Sequence, residues 1–229
     1  MALTTNLQNS YALTANSNDA VGSINGTDTS VSYTTTGGNL SANYNGTSSK
    51  TVMSGPTLTG TGDITIVGWI RILATGADSA GYFVSNRKAS DDNIGIYNFR
   101  VDSSGKLNFW DYDGGAFGFS TSALSTTSLS ANTWYHVAFT KVGTAGTYYL
   151  NGSSDGTTTA AANKSYSSSA THPTTLGFQA SDVYYFGGAM TGFQFYTRAL
   201  SGAEISQLYN GGTVLQYPFA TANTTNFFF

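Results

Sequence analysis

Few side chains in this sequence could move a proton or break a bond. Hydrolysis by paired carboxyl groups needs two of them flanking the scissile bond, and the chain holds a single glutamate, Glu204. Glu204 stands three residues after Ser201, the spacing at which a serine caps a helix and the glutamate reaches back to the cap. A structural role therefore accounts for it. Asp111 and Asp113 form an Asp-x-Asp pair whose i, i+2 spacing would put both on one strand face. No surrounding site accompanies the pair, and the Gly114-Gly115 that follows reads as a strand running into a turn. His136 lies two residues after Trp134, on the same face, where a structural hydrogen bond is expected. His172 precedes Pro173 in a polar loop and is expected to be solvated. Gly-x-Ser-x-Gly, His-Glu-x-x-His and phosphate-loop patterns are missing. The expectation is a protein that is not an enzyme.

The elements that carry these residues follow from composition. Of 229 residues, 40% are hydrophobic and 14% aromatic, but only 9% are charged, against roughly 25% in an ordinary soluble domain. Solubility then rests on Thr, Ser, Asn and Gly, which are poor helix formers and favour strands and turns. The class is all-β. A net charge of −3 with scattered Lys and Arg argues against nucleic acid, which demands clustered cations. Without cysteine there is no disulfide framework and no thiolate metal site. No apolar stretch approaches the roughly 20 residues of a membrane span, so membrane insertion is not expected. The opening Met1-Ala2-Leu3-Thr4-Thr5-Asn6-Leu7-Gln8 has neither the basic nor the apolar region of a Sec signal peptide. An extracellular style of surface with no such leader points to an extracellular location or a virion surface.

Within residues 1–50, apolar islands at Tyr11/Leu13, Val31/Tyr33 and Tyr44 alternate with the turn signals Asn25-Gly26, Gly37-Gly38 and Asn45-Gly46. The clearest strand runs from Ile64 to Leu73. Ile64, Ile66, Ile70 and Ile72 share one parity and Val67, Trp69 and Leu73 the other, as in a central strand covered on both faces. Tyr82 to Val84 gives another strand. Ile94 to Val101 and Lys106 to Trp110 read as a hairpin around Asp102-Ser103-Ser104-Gly105. Trp134 to Lys141 and Thr147 to Leu150 form a further pair. Phe186 to Tyr196 is a strand broken at Gly187-Gly188 and Gly192, and Val214 to Phe219 is expected to close the sheet. Residues 201–209 form the one helix, capped by Ser201 and Glu204, stapled by Leu200 against Ile205 and stopped by Gly211. Spaced short strands with Gly-rich turns indicate a two-sheet antiparallel jelly-roll sandwich. Residues 1–222 form its single domain, and 223–229 a polar linker with a Phe-rich tail.

At Thr133 to Thr140, followed by Tyr148-Tyr149-Leu150-Asn151-Gly152, the sequence resembles the core motif of LamG-like jelly rolls of the concanavalin A-like lectin/glucanase superfamily. Gly188 to Ser201, with Glu204-Ile205 and Leu208-Tyr209, resembles that family's last strand and helix. Asn18 to Gly26 and Tyr44-Asn45-Gly46 fit its opening strands. The Met-Ala-Leu-Thr-Thr-Asn-Leu opening is similar to LamG-like proteins carried by bacteriophages. The resemblance implies two sheets of about six or seven strands and ligands, often sugars or proteins, bound at rim loops, in many relatives through calcium. Here the pattern departs. Met190-Thr191-Gly192-Phe193 stands where relatives often carry acidic residues, and Asp19 alone matches an acidic position. Ca²⁺ takes about 6–8 oxygen ligands, so no cofactor is expected, and Asp19 is the one position where a metal would be sought.

Sugars are held by aromatic platforms with a few fixed polar groups. Three loop-adjacent groups have such residues: Asp91-Asp92-Asn93; Trp110-Asp111-Tyr112-Asp113; and Asp182-Val183-Tyr184-Tyr185. Each aromatic could instead fill the core and each Asp a turn. Phe227, Phe228 and Phe229 would cost about 1.5–3 kcal/mol each if left in water, so they are expected to dock on a partner. The reading that follows is a non-catalytic adhesion module, a virion surface protein that recognises a glycan or host-surface ligand. Its partners would be other virion proteins or further copies of itself. A purely structural capsid decoration protein and a glycoside hydrolase are the alternatives.

Overall fold

The computed structural model describes residues 2–73, 81–87, 94–169, 172–181 and 183–219. Alternation along Ile64–Ile72 sets the architecture. Ile64, Ile66, Ile70 and Ile72 point into the main core, and Val67 into a second cluster on the opposite face. Two antiparallel sheets of eight strands each result, against the six or seven expected. Across the first sheet the strands run Ser153–Thr159, Ala145–Leu150, Trp134–Val142, Ile64–Ile72, Gly187–Tyr196, Asn39–Asn45 and Ser32–Thr36, with Leu7–Tyr11 also paired to Gly187–Tyr196. Across the second they run Ala116–Phe117, Lys106–Asp113, Ile96–Val101, Tyr82–Ser85, Thr175–Leu176, Lys50–Met53 and Gly26–Thr29, with Leu124–Ser128 against Lys106–Asp113.

Between the sheets lies a core rich in phenylalanine. Phe109 of the second sheet stacks on Phe139 of the first, centroids 4.2 Å apart and rings 12° from parallel, and Phe99 and Phe119 meet the pair edge-on or tilted. The outer face of the first sheet is buried too. Leu3 and Leu7 from the N-terminus and Leu200, Ile205 and Leu208 from the helix region cover Val67, Ala138, Tyr149 and Tyr196. Ile64–Ile72 is therefore a central strand covered on both sides, as its two-parity pattern predicts.

The helix Gly202–Tyr209 carries the expected capping box. Glu204 N–H donates to Ser201 Oγ at 3.3 Å, and Ser201 N–H donates to Glu204 Oε2 at 2.9 Å. It ends at Tyr209 as expected, with Asn210 taking the left-handed cap conformation one residue ahead of the anticipated stop at Gly211. Gly105 supplies a φ of +80° in its hairpin, and Gly192 a φ of +62° at a bulge between Thr191 and Gln194. Around that bulge Gly187–Tyr196 stays one continuous, wholly buried strand, so Gly187-Gly188 breaks nothing. Val214–Phe219 is not a strand. Leu215, Tyr217 and Phe219 pack as an irregular strap against the outer cluster, where hydrophobic cover rather than sheet pairing is supplied.

Candidate ligand-binding face

The strand Lys106–Asp113 shows how position sorts chemistry. Leu107, Phe109 and Asp111 point inward; Asn108, Trp110 and Tyr112 point to the outer face of the second sheet. The same two-residue period turns Tyr97 and Phe99 inward on the neighbouring strand and Ile96, Asn98 and Arg100 outward. Register then aligns Trp110 with Asn98 and Asn108 with Arg100, and Tyr82 with Arg100 one strand further on.

An aromatic cluster forms on this outer face. Tyr82, Ile96 and Trp110 are its buried members, with Tyr112 and Tyr184 half-buried against them. Tyr184 stacks on Tyr82 at 5.8 Å and 20°. Phe117, 42% exposed, meets Trp110 and Tyr112 edge-on at 5.9 and 4.9 Å. Arg100 lies over the Tyr82 ring, donates from Nη1 to Tyr82 Oη and from Nε to Asn108 Oδ1, each at 3.1 Å. Gly81, Tyr82, Arg100, Asp102 and Tyr184 border a small depression beside it. Arg87 lies over the Trp110 ring at 5.8 Å.

Within the cluster, polar atoms are left without partners. Among the described residues, Asn98 is fully buried with neither its Nδ2 nor its Oδ1 hydrogen-bonded, and Trp110 Nε1 beside it is likewise unpaired. Buried polar groups are nearly always satisfied, and an orphaned one costs about 1–3 kcal/mol. Two nitrogens and an oxygen on adjacent strands are thus buried without a partner among the described residues.

The other candidates separate from this face. Asp111 is not a surface ligand. Its carboxylate is fully buried in the interior, accepting from Phe119 N–H at 2.6 Å and Tyr166 Oη at 2.9 Å. Burial raises its pKa and lowers that of the equally buried Lys141, whose Nζ donates to the Thr61 and Gly62 carbonyls at 3.3 and 3.0 Å. Asp113 stays at the turn, accepting from Gly95 N–H at 3.2 Å. Tyr185 packs on Phe178 at 4.6 Å, apart from its neighbour Tyr184. Asp91, Asp92, Asn93, Asp182 and Phe227, Phe228 and Phe229 lie outside the described residues.

Asp19 is surrounded by donors, the reverse of what a cation requires. It accepts from Asn9 Nδ2 at 2.7 Å and from the N–H groups of Ser10, Val21 and Ile24 at 3.0, 3.1 and 3.4 Å, pinning the Asn16–Asn25 loop. His136 makes no hydrogen bond through Nδ1; its ring is buried edge-on to Trp69 at 5.2 Å, and burial alone pushes its pKa down to about 3. His172 is 6% exposed rather than solvated. Glu204 receives both Arg198 Nη atoms, at 2.7 and 3.0 Å, and these hydrogen bonds hold its pKa down to about 2.

Asn98, Arg100, Tyr82 and Phe117 were not among the candidates. The alternation of Ile96-Tyr97-Asn98-Phe99-Arg100 carries the signal for two of them, since polar residues at every second position mark an outer face.

A sandwich with this strand order and motif set matches a known family over residues 44–206, the concanavalin A-like lectin/glucanases superfamily. The chain belongs to this superfamily. No curated protein matches the sequence, but solved structures share its fold. Domain 4 of AbnA, an extracellular GH43 arabinanase from Geobacillus stearothermophilus solved with arabinotriose, superposes with a TM-score of 0.69 at 16% identity, covering 89% of this chain and 98% of that one. The binding domain of Paraclostridial Mosquitocidal Protein 1 gives 0.70 at 18% identity, covering 92% and 53%. A structure of botulinum neurotoxin type C, described as entering cells through two ganglioside molecules, gives 0.67 at 15%, covering 91% and 52%. The chain spans about half the length of these two toxin structures. At such identities the likeness is one of fold.

Proposed function

We propose that this superfamily member is a non-catalytic carbohydrate-recognition module whose ligand lies on the outer face of the second sheet. The observation that carries the reading is the unpaired Asn98 amide beside the unpaired Trp110 Nε1, set in an aromatic platform of Tyr82, Tyr112, Phe117 and Tyr184. Flat rings meet the C–H faces of a sugar, and an amide with both ends open can donate to one hydroxyl and accept from another. Arg87, over the Trp110 ring at 5.8 Å, adds a cationic group beside the platform. The arabinotriose complex of the AbnA domain supports a sugar as ligand class for such a sandwich. The absence of catalysis is favoured because Glu204 is held by Arg198 and Ser201, and Asp111 is closed inside the core. A surface of Thr, Ser, Asn and Gly with 9% charge fits an extracellular or virion-surface setting.

A glycan array read with and without calcium tests this. Binding is expected to be calcium-independent, to fall about tenfold in Tyr184→Ala, and to weaken in Trp110→Phe, which keeps a ring and removes the N–H. An array blank under both conditions would replace this reading with that of a structural spacer. Binding indifferent to both substitutions would move the site elsewhere.

A further inference from the structure

A second cavity lies on the opposite side of the molecule, over the outer face of the first sheet. Four steps separate Trp134–Val142 from the edge strand Ser32–Thr36, at about 4.8 Å each or roughly 19 Å in all. Yet Trp134 Nε1 donates to Thr36 O at 2.8 Å. The edge hairpin therefore arches back over the sheet. Its tip rests on the same two side chains it must cross: a Cβ at Gly37 would stand 3.0 Å from Trp134 Nε1 and 3.2 Å from Arg71 Nε. Beneath and beside the arch is a cavity of about 150 Å³.

The chemistry of its lining is one-sided. Gly188 and Ala189 make a low floor between the taller rows of Asn43 and Arg71, and Ser30, Ser32 and Thr36 present hydroxyls. Among the described residues of the lining, Arg71 is the single charged one. Its Nε donates to Asn132 O at 3.1 Å, which fixes the plane of the guanidinium, and among the described residues it forms no ion pair. Asn43 and Asn45 already use their amides within their own hairpin and turn. What remains is an oriented guanidinium beside a hollow of about 150 Å³ bordered by Ser30, Ser32 and Thr36 on one side and by Tyr44 and Leu73 on another, a space on the scale of one pyranose ring.

We propose that this hollow is a second binding site, specific for a monosaccharide-sized sugar acid, a hexuronate at the end of a glycan. The carboxylate pairs with the Nη edge of Arg71, the geometry in which arginine recognises planar anions best. The ring hydroxyls face Ser30, Ser32 and Thr36. The site is independent of the aromatic face on the other sheet, so the two can be occupied together.

Titration calorimetry of the full chain with D-glucuronate, D-galacturonate, D-glucose and acetate tests the proposal. Hexuronate should bind at least tenfold more tightly than glucose and than acetate, and more weakly as salt is raised. Arg71→Gln should abolish that preference, and Ser32→Phe, which plugs the hollow from its edge while leaving Arg71 in place, should reduce hexuronate binding at least tenfold. Tyr184→Ala should leave it unchanged. Equal binding of glucose and hexuronate overturns the carboxylate assignment, and acetate binding as tightly as hexuronate overturns the sugar. No binding of either hexuronate, or binding that survives both substitutions in folded protein, overturns the site. The comparison of ligands on the unsubstituted chain decides the matter even if a variant fails to fold.

Discussion

His136 illustrates what burial does to one titratable group. Its ring is wedged against Trp69 and Tyr209, 1% exposed, with a pKa near 3 against 6.5 in an unfolded chain. Between those values the unfolded state binds a proton that the folded state refuses, so stability falls as pH drops through 6.5, by up to about 1.4 kcal/mol per pH unit. Glu204 adds its own loss only below its unfolded value of 4.5, where protonation breaks its bonds to Arg198 and Ser201. Urea midpoints of the intact protein should therefore decline between pH 6.5 and 4.5, and in His136→Phe that decline should largely disappear. A slope unchanged in the variant would assign the acid sensitivity to another group.

At the scale of elements, the short helix is the best test of local coding. Eight residues are too few to hold a helix alone in water, so its persistence rests on the capping box and on Leu200, Ile205 and Leu208 buried against the first sheet. Ser201→Ala should cost about 1 kcal/mol, the usual value of an N-cap side chain, seen as a lowered denaturation midpoint with an unchanged slope. A change below a few tenths would mean that Arg198 and the backbone satisfy the helix start unaided. The helix was legible because its cap and staple, Leu200 to Ile205, lie within six residues. Val214 to Phe219 was not: it has a strand's composition, but Leu215, Tyr217 and Phe219 pack on the outer cluster without pairing into a sheet.

The whole molecule is larger than the segment matching the superfamily. Leu3, Leu7 and Tyr11 are buried, the strand Leu7–Tyr11 pairs with Gly187–Tyr196, and Arg198 donates to the Ala2 and Thr5 carbonyls at 3.3 and 2.8 Å. Three such side chains contribute about 1.5–3 kcal/mol each, a large share of the roughly 5–15 kcal/mol that holds a domain folded. Removing residues 1–11 should leave a protein that is unfolded or melts far below the intact chain, as followed by circular dichroism. An equal melting temperature would show that residues 44–206 suffice.

Composition and periodicity alone determined the all-β class, the doubly covered strand at Ile64–Ile72, the hairpin at Gly105 and the capped helix, because each depends on neighbours a few residues away. The pairing of Asn98 with Trp110, the burial of Asp111 and the arch over Arg71 depend on register and on which sheet faces which. Aspartate at a strand end reads the same whether its face looks to water or to phenylalanine. Only the packing of two sheets against each other chooses between them, and that choice sent Asp111 inward and left Trp110, Tyr112 and Tyr184 on the outside.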